Sequence, residues 1–544
     1  MKKKYWKSIE QTKNNNLELH KEFSDKIPIE KIIDNKNNFT ASRRDFLKLV
    51  GFSTVAATIT SCETPITESV PYLVKPEEIT PGNANYYATT FDDGYDFASV
   101  LIKTREGRPI KIDPNYEAGS LYDANSRIQS SLLSLYDSYR LKSPVNQKSK
   151  ELNISLEDYF RNLNFDLSSN KKTVFLTSSF TSPSLNNIIK DLKLKYPNFE
   201  IIFYDPISYS GLLDSYDEMF GVRALPNYRF EKADFIISIG ADFLGEWLNF
   251  DHSEGYASKR DPDNKMSQHI HFESNMSLSG SNADKRYIIK PSEKVSVLTN
   301  LYNIIAKSFG EKQINSQSCK YDAEIKLLAA KLIRSKGKSI VLIDSSDKNL
   351  QNLCFKLNML LGNINKTINI AEPLFIKKGD DQKFNILLNE MLEGKVESLI
   401  INDVNIFYNF YDQNKLKKSF KKVNVITQLT LKENETSPFV DYIIPKNHFL
   451  ESWGDSNPKN GMYTLRQPVI NPLFDSIQVE DFLLKLLGNS KNYKDYLKSF
   501  WKKSILQPTT NWNQVLHDGF YFSKQKLIIN IKNNLDINYT SKNI

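Results

Sequence analysis

Three cysteines and six histidines are the scarce residues through which this 544-residue chain could hold a metal or build a redox centre, and their spacing limits them. Cys62, Cys319 and Cys354 lie too far apart for a C-x-x-C pair, which excludes a local iron–sulfur run, a haem attachment motif and a zinc ribbon. His269 and His271 in "HIHFE" would share one face of a strand and could approach a metal, but no third ligand stands nearby in sequence, so a satisfied strand face is the simpler reading. His448 and Glu451 in "PKNHFLESWGD" have an i, i+3 spacing that suits a cap or a local hydrogen bond. Asp92-Asp93, Asp380-Asp381 and Glu77-Glu78 read as turn and surface carboxylates. Nucleophile-elbow motifs are absent, and "SIGADFLGE" offers only Gly240 and Gly245, with no G-x-G-x-x-G to cradle a pyrophosphate. No catalytic, cofactor-binding or metal-ligating residue is assigned on these grounds.

The strongest motif concerns export. Ser42, Arg43, Arg44, Asp45, Phe46, Leu47 and Lys48 form "SRRDFLK", a twin-arginine pattern followed by a weakly apolar run that is too short to span a bilayer as a helix of about 20 residues. The run ends in Ile59-Thr60-Ser61-Cys62, which fits a lipobox, so Cys62 is expected to be acylated and to become the new N-terminus. A diacyl or triacyl cysteine holds a protein durably at a membrane, because each buried methylene contributes about 0.8 kcal/mol. Residues 1–61 are then a signal, and the body is expected on the periplasmic face of the inner membrane.

Charge argues against nucleic acid. Residues 1–61 hold twelve Lys+Arg and seven Asp+Glu, whereas the remainder holds 60 basic and 57 acidic groups, so the mature part is nearly balanced. No Lys/Arg run interleaved with aromatics tracks a phosphate backbone.

These features must be positioned by a chain long enough for several domains. "ETPITESVPYLVKPEEITPGNAN" reads as extended, and the stretch from Tyr86 to Asn115 as two or three strands turning at Asp93-Gly94 and Glu106-Gly107. From Lys171 the pattern changes to β-α-β-α-β: "KKTVFLTSS", "PSLNNIIKDLKLKYP", "FEIIFYD" and "KADFIISIGADF". It returns in "KSIVLIDSS", "NLQNLCFKLNMLLGN", "VESLIINDVN" and "KKVNVITQLT". The expected organisation is a signal (1–61), an extended and β-rich part (62–150), a first Rossmann-like α/β domain (151–330) and a second with a C-terminal block (331–544).

Several blocks carry a family resemblance. "REGRPIKIDPN", "GSLYDANSRIQSSLLSLYDSYRLKSPV", "ADFIISIGADFLGEW", "CFKLNMLLGNI" and "ETSPFVDYIIPKNHFLESWGDSNPKNGMYTLRQPVINPLF" occur in the order found in molybdopterin oxidoreductases. With "KYWKSIEQ", "SRRDFLKLVGFS" and "PYLVKPEEITPG" added, the chain resembles the Tat-variant-translocated molybdopterin oxidoreductase-like proteins that form the B subunit of bacterial alternative complex III. The resemblance implies an α/β, molybdopterin-oxidoreductase-like multi-domain fold with Rossmann-like parallel-sheet units and a small β-rich N-terminal part. It also implies a non-catalytic docking subunit of a membrane-bound quinol:electron acceptor oxidoreductase. In that family a ferredoxin-like part carries the iron–sulfur clusters; this sequence stops at Ile544, soon after "WNQVLHDGFY". Either the cluster domain is a separate chain or this sequence is a truncated product; the clusters are expected on an iron–sulfur partner beside integral membrane quinol-oxidising subunits, and molybdopterin is not expected on this chain. The competing reading is a respiratory lipoprotein that binds molybdopterin and is itself a reductase.

Overall fold

The computed structural model describes residues 83–531 except 120–123, 148–150, 153–154, 168–169, 246, 250–251, 490, 524–526, 528 and 530. β1 (Asn85–Asp92), β2 (Phe97–Arg105) and β3 (Arg108–Pro114) form an antiparallel sheet in the order 1-2-3. Both expected turns are present. Glu106 and Gly107 have φ of 49° and 77°, the two positive values that a type I′ hairpin requires. At the other turn Asp93 accepts from the amides of Tyr95 and Asp96 at 2.9 and 2.8 Å. Period-two alternation then puts Ala98, Val100, Ile102 and Ile112 on one face, where they pack with Ile128, Leu135 and Leu450.

The chain next builds β4 (Val145–Asn146), β5 (Glu151–Leu152), β6 (Lys172–Thr177), the helix Pro183–Lys195 and β7 (Phe199–Phe203). After the helix Ser210–Phe220 come β8 (Leu225–Tyr228), β9 (Phe235–Ile239), β10 (Gln268–Glu273) and β11 (Lys285–Ile288). Helices at Glu293–Ser308 and Asp322–Arg334 precede β12 (Ser339–Ile343), and the helix Lys348–Leu360 leads to β13 (Ile368–Leu374). β14 (Val396–Asn402), β15 (Val425–Thr430), β16 (Tyr442–Pro445), β17 (Gly454–Lys459), β18 (Met462–Arg466) and β19 (Phe520–Phe522) follow, with three helices between β18 and β19.

Pairing sorts these strands into two parallel sheets and one antiparallel sheet. The first parallel sheet has the order 5-4-16-15-14-6-7, with β4 and β5 as an antiparallel edge. The second, 11-10-9-12, is parallel throughout. The third, 19-18-17-13-8, is antiparallel. Each parallel sheet draws strands from both sides of residue 330: β6 and β7 join β14 to β16, while β9 to β11 join β12. The second α/β unit is thus inserted between β7 and β14, and "KADFIISIGADF" belongs to it rather than to the sheet of "KKTVFLTSS".

The helix after β6 shows how local sequence builds the frame. Ser182 accepts the Leu185 amide at 3.0 Å, Pro183 occupies the first turn, and Leu185, Ile188, Ile189 and Leu192 make a buried stripe at i, i+3, i+4 and i+7. Each such side chain contributes roughly 1.5–3 kcal/mol when fully buried. Among the described residues, no helix is long and apolar enough to cross a membrane.

Candidate functional site

In helix-covered parallel sheets, ligands bind at the carboxyl ends of strands where neighbouring connections diverge. In the first parallel sheet that point lies between β6, which leads to β7 on one side, and β14, which leads to β15 on the other. A cleft of about 360 Å³ opens there, with Asp92, Asp93, Ser178, Asn402, Asp403 and Asp455 in its wall. The loop that would cradle a phosphate runs from Ser178 to Ser184. Four of its hydroxyls and three of its amides are engaged by three carboxylates. Ser179 gives its amide (3.0 Å) and hydroxyl (2.6 Å) to Asp205, and Thr181 gives its hydroxyl (2.7 Å) and amide (3.3 Å) to Asp92. Ser182 and Ser184 donate their hydroxyls to Asp455 at 2.5 and 2.7 Å, and the Trp501 indole N–H joins them at 2.8 Å. Asp455 therefore occupies the N-terminus of the helix Pro183–Lys195, the place where a helix dipole and free amides would otherwise receive an anion. Burial pushes its carboxyl above the ordinary carboxylate range, and the Ser182, Ser184 and Trp501 donors pull it back.

The β1–β2 turn closes over the same loop. A Cβ at Gly94 would lie 2.5 Å from the Ser179 carbonyl oxygen and 2.9 Å from Ser178 Cβ, so glycine is required for the approach as well as for its φ of 81°. Lys377, only 2% exposed, fixes the turn by donating to the Gly94 carbonyl at 2.6 Å. Burial draws its ammonium below the usual lysine value, and Asp205, Asp93 and Asp92 oppose that shift. At the matching point of the second sheet, between β9 and β12, Lys294 lies across Gly240. A Cβ there would stand 2.4 Å from Lys294 Cε, and the ammonium donates to the Asp344 carbonyl at 3.2 Å.

Two of the family-like blocks meet in a buried ion pair. Arg140, from "SYRLKSP", donates to both oxygens of Glu451, from "HFLESWG", at 3.1 and 2.7 Å, with side chains 2% and 0% exposed. Glu451 also accepts the His448 amide at 2.8 Å, while the Leu450 amide donates to His448 Nδ1 at 3.3 Å, so the i, i+3 pair is a capping box. That bond also assigns the tautomer. With Nδ1 as acceptor, the ring proton sits on Nε2, 2.8 Å from Ser134 Oγ. His448 is then a donor to Ser134 and not a base that could activate it, and burial holds its pKa down to about 4.

His269 and His271 do share an inner strand face, both fully buried, with ring centroids 5.5 Å apart. Tyr256 OH lies 3.2 Å from His269 Nδ1 and Glu273 Oε2 lies 3.1 Å from His271 Nε2. Burial lowers both, His269 to about 3, so both rings are neutral at pH 7. Among the described residues, no group of three or more His, Cys, Asp or Glu side chains could hold a metal ion. Cys319 and Cys354 are free thiols, and burial pushes Cys354 up to about 12, which makes it an inert core residue.

Comparison with known proteins bears on this geometry. No protein-family model matches the chain. It is 22% identical over 499 residues to the menaquinone reductase, molybdopterin-binding-like subunit, of Nitratidesulfovibrio vulgaris strain Hildenborough, covering 82% of this chain and 72% of that one. Acetylene hydratase from Pelobacter acetylenicus superposes with a TM-score of 0.59 at 11% identity, over 80% of this chain and 74% of that chain. The fold is that of the molybdopterin oxidoreductases. The residues at the switch point, however, do not suit a pyrophosphate. A pyrophosphate would meet Asp92, Asp205 and Asp455 where it needs free N–H donors. The cleft of about 360 Å³ also stands at the low end of ligand pockets, roughly 300–1,000 Å³.

The export residues Ser42, Arg43, Arg44, Asp45, Phe46, Leu47 and Lys48, the lipidation candidate Cys62, and Glu77-Glu78 lie outside the described residues. Of the other acidic pairs, Asp93 serves its turn and Asp380 caps the helix Asp381–Leu392 by accepting the Lys383 amide at 3.0 Å. Asp92 is more than a surface carboxylate, since it reaches Thr181 and Ser456 across the cleft wall. Asp205, Asp455, Lys377 and Asn402 escape sequence reasoning, each being a single polar residue near a strand end. The one readable signal is Ser182-Pro183-Ser184 after β6, a helix start whose occupant could have been sought.

Proposed function

We propose that this chain is a non-catalytic docking subunit of a membrane-bound quinol:electron acceptor oxidoreductase of the alternative complex III type. The observation that supports the reading is the engagement of the Ser178 to Ser184 loop by Asp92, Asp205 and Asp455, at the strand ends where a cofactor phosphate would be expected. The likeness to a subunit named for menaquinone reductase supports a respiratory role. Electron transfer then belongs to an iron–sulfur, ferredoxin-like partner, and quinol chemistry to integral membrane subunits. The twin-arginine stretch at Arg43-Arg44 exports the chain, and acylated Cys62 holds it on the periplasmic face. Purification from native membranes in mild detergent with metal analysis tests this. The expected result is co-purification with a cysteine-rich cluster protein and no stoichiometric molybdenum or tungsten on this chain; either metal at one equivalent would overturn the reading.

A further inference from the structure

The cleft wall holds a buried acceptor without a partner, at Asn402, and carries more carboxylates (Asp92, Asp93, Asp403, Asp455, Glu480) than cations (Lys446, Arg466). Asn402, at the end of β14, is 6% exposed; its Nδ2 donates to Thr177 Oγ1 at 3.0 Å, and its Oδ1 is buried with no partner. Asp403 follows with φ of 54°, and its carboxylate accepts from Lys446. Asp93 reaches the same wall from the β1–β2 turn. The two sides meet at Ser178, whose Cβ faces Gly94 and whose amide donates to the Asn402 carbonyl at 3.4 Å.

We propose that this cleft binds a small organic cation, an ammonium or guanidinium group, with the Asp93 carboxylate supplying charge and Asn402 Oδ1 accepting one N–H. A buried acceptor without a partner is costly to leave unmade, and a ligand N–H removes that cost. Charge-assisted bonds to a carboxylate at a partly desolvated site supply the affinity. The cleft of about 360 Å³ suits a molecule near the small end of ligand size. The hydroxyls of Ser179, Thr181, Ser182 and Ser184 already donate to carboxylates, so they are not free to receive an anion.

The test uses the full chain in mild detergent, titrated by calorimetry with agmatine and separately with GDP. Agmatine should bind. Asp93→Asn, which keeps the acceptor of its turn, should weaken binding about tenfold, and Asn402→Ala should weaken it by a similar factor with thermal unfolding checked for both variants. No agmatine binding at millimolar concentration, or unchanged affinity in both variants, overturns the proposal. The inference rests on the reading that the cleft is not a molybdopterin seat, and the two failures differ. GDP binding would overturn both, whereas silence with both ligands removes only the cation.

Discussion

Replacing Arg140 with Met removes one half of a fully buried ion pair and leaves the other half in place. Arg140 makes three bonds, to Glu451 Oε1 (3.1 Å), Glu451 Oε2 (2.7 Å) and the Leu135 carbonyl (3.1 Å). Glu451 keeps only the amides of His448 and Leu473, at 2.8 and 3.1 Å, to hold a carboxylate that is 0% exposed. Breaking a buried pair in this way costs about 3–5 kcal/mol, chiefly because the remaining charge is uncompensated. At roughly 2–4 °C per kcal/mol, thermal unfolding should move down by about 6–20 °C. The double variant Arg140→Met/Glu451→Gln removes the charge, and a glutamine oxygen can still serve one amide, so it should regain about half of the loss. Urea titration of both single variants, Arg140→Met and Glu451→Gln, and of the double variant at neutral pH gives the coupling directly. A single variant within about 1 kcal/mol of the parent, or a double variant no more stable than the single, would refute the argument that the uncompensated charge dominates.

Acid should destabilise the chain through its neutral imidazoles. His448 and His269 are held near 4 and 3 against an ordinary value of 6.5, so the unfolded chain takes up protons below pH 6.5 that the folded chain refuses. Their contribution is complete above about pH 6.5 and is lost as pH falls toward 4 and below, by about 3 kcal/mol for His448 alone. Denaturation midpoints from pH 7 to 4 should show it, and His269→Phe should flatten the decline; a midpoint indifferent to pH sinks the claim. Asp455→Ala strands the hydroxyls of Ser182 and Ser184 and the indole N–H of Trp501, and should cost about 2–4 kcal/mol with a change in tryptophan emission. An unaltered spectrum and stability would mean that those donors find water instead. For the proposed anchor, intact mass of membrane-derived protein should show an acylated N-terminal Cys62 that Cys62→Ser abolishes; an unmodified cysteine would remove the lipid from the account.

Local structure was legible wherever chemistry is local. Asp93-Gly94 and Glu106-Gly107 announced their turns, and "PSLNNIIKDLKLKYP" announced its helix, because caps, positive φ and a 3.6-residue period depend on neighbours in sequence. Sheet membership was not. "TVFLT", "FIISI", "SIVLI" and "LIIN" are all short buried parallel strands, and a run apolar on both faces carries no mark of which sheet it joins. The insertion of one α/β unit into the other therefore emerges only from pairing. The site was hidden for the same reason: Asp455 meets Ser182 across 273 residues and Lys377 meets Gly94 across 283. Absence of a glycine fingerprint could not say that carboxylates engage the loop after β6.

Lys377 and the three loop carboxylates also bear on how the chain reaches its final shape. Here the charges that close the first switch point are encoded in the polypeptide. On the reading proposed above, cells grown with and without molybdate should hold the same amount of folded chain.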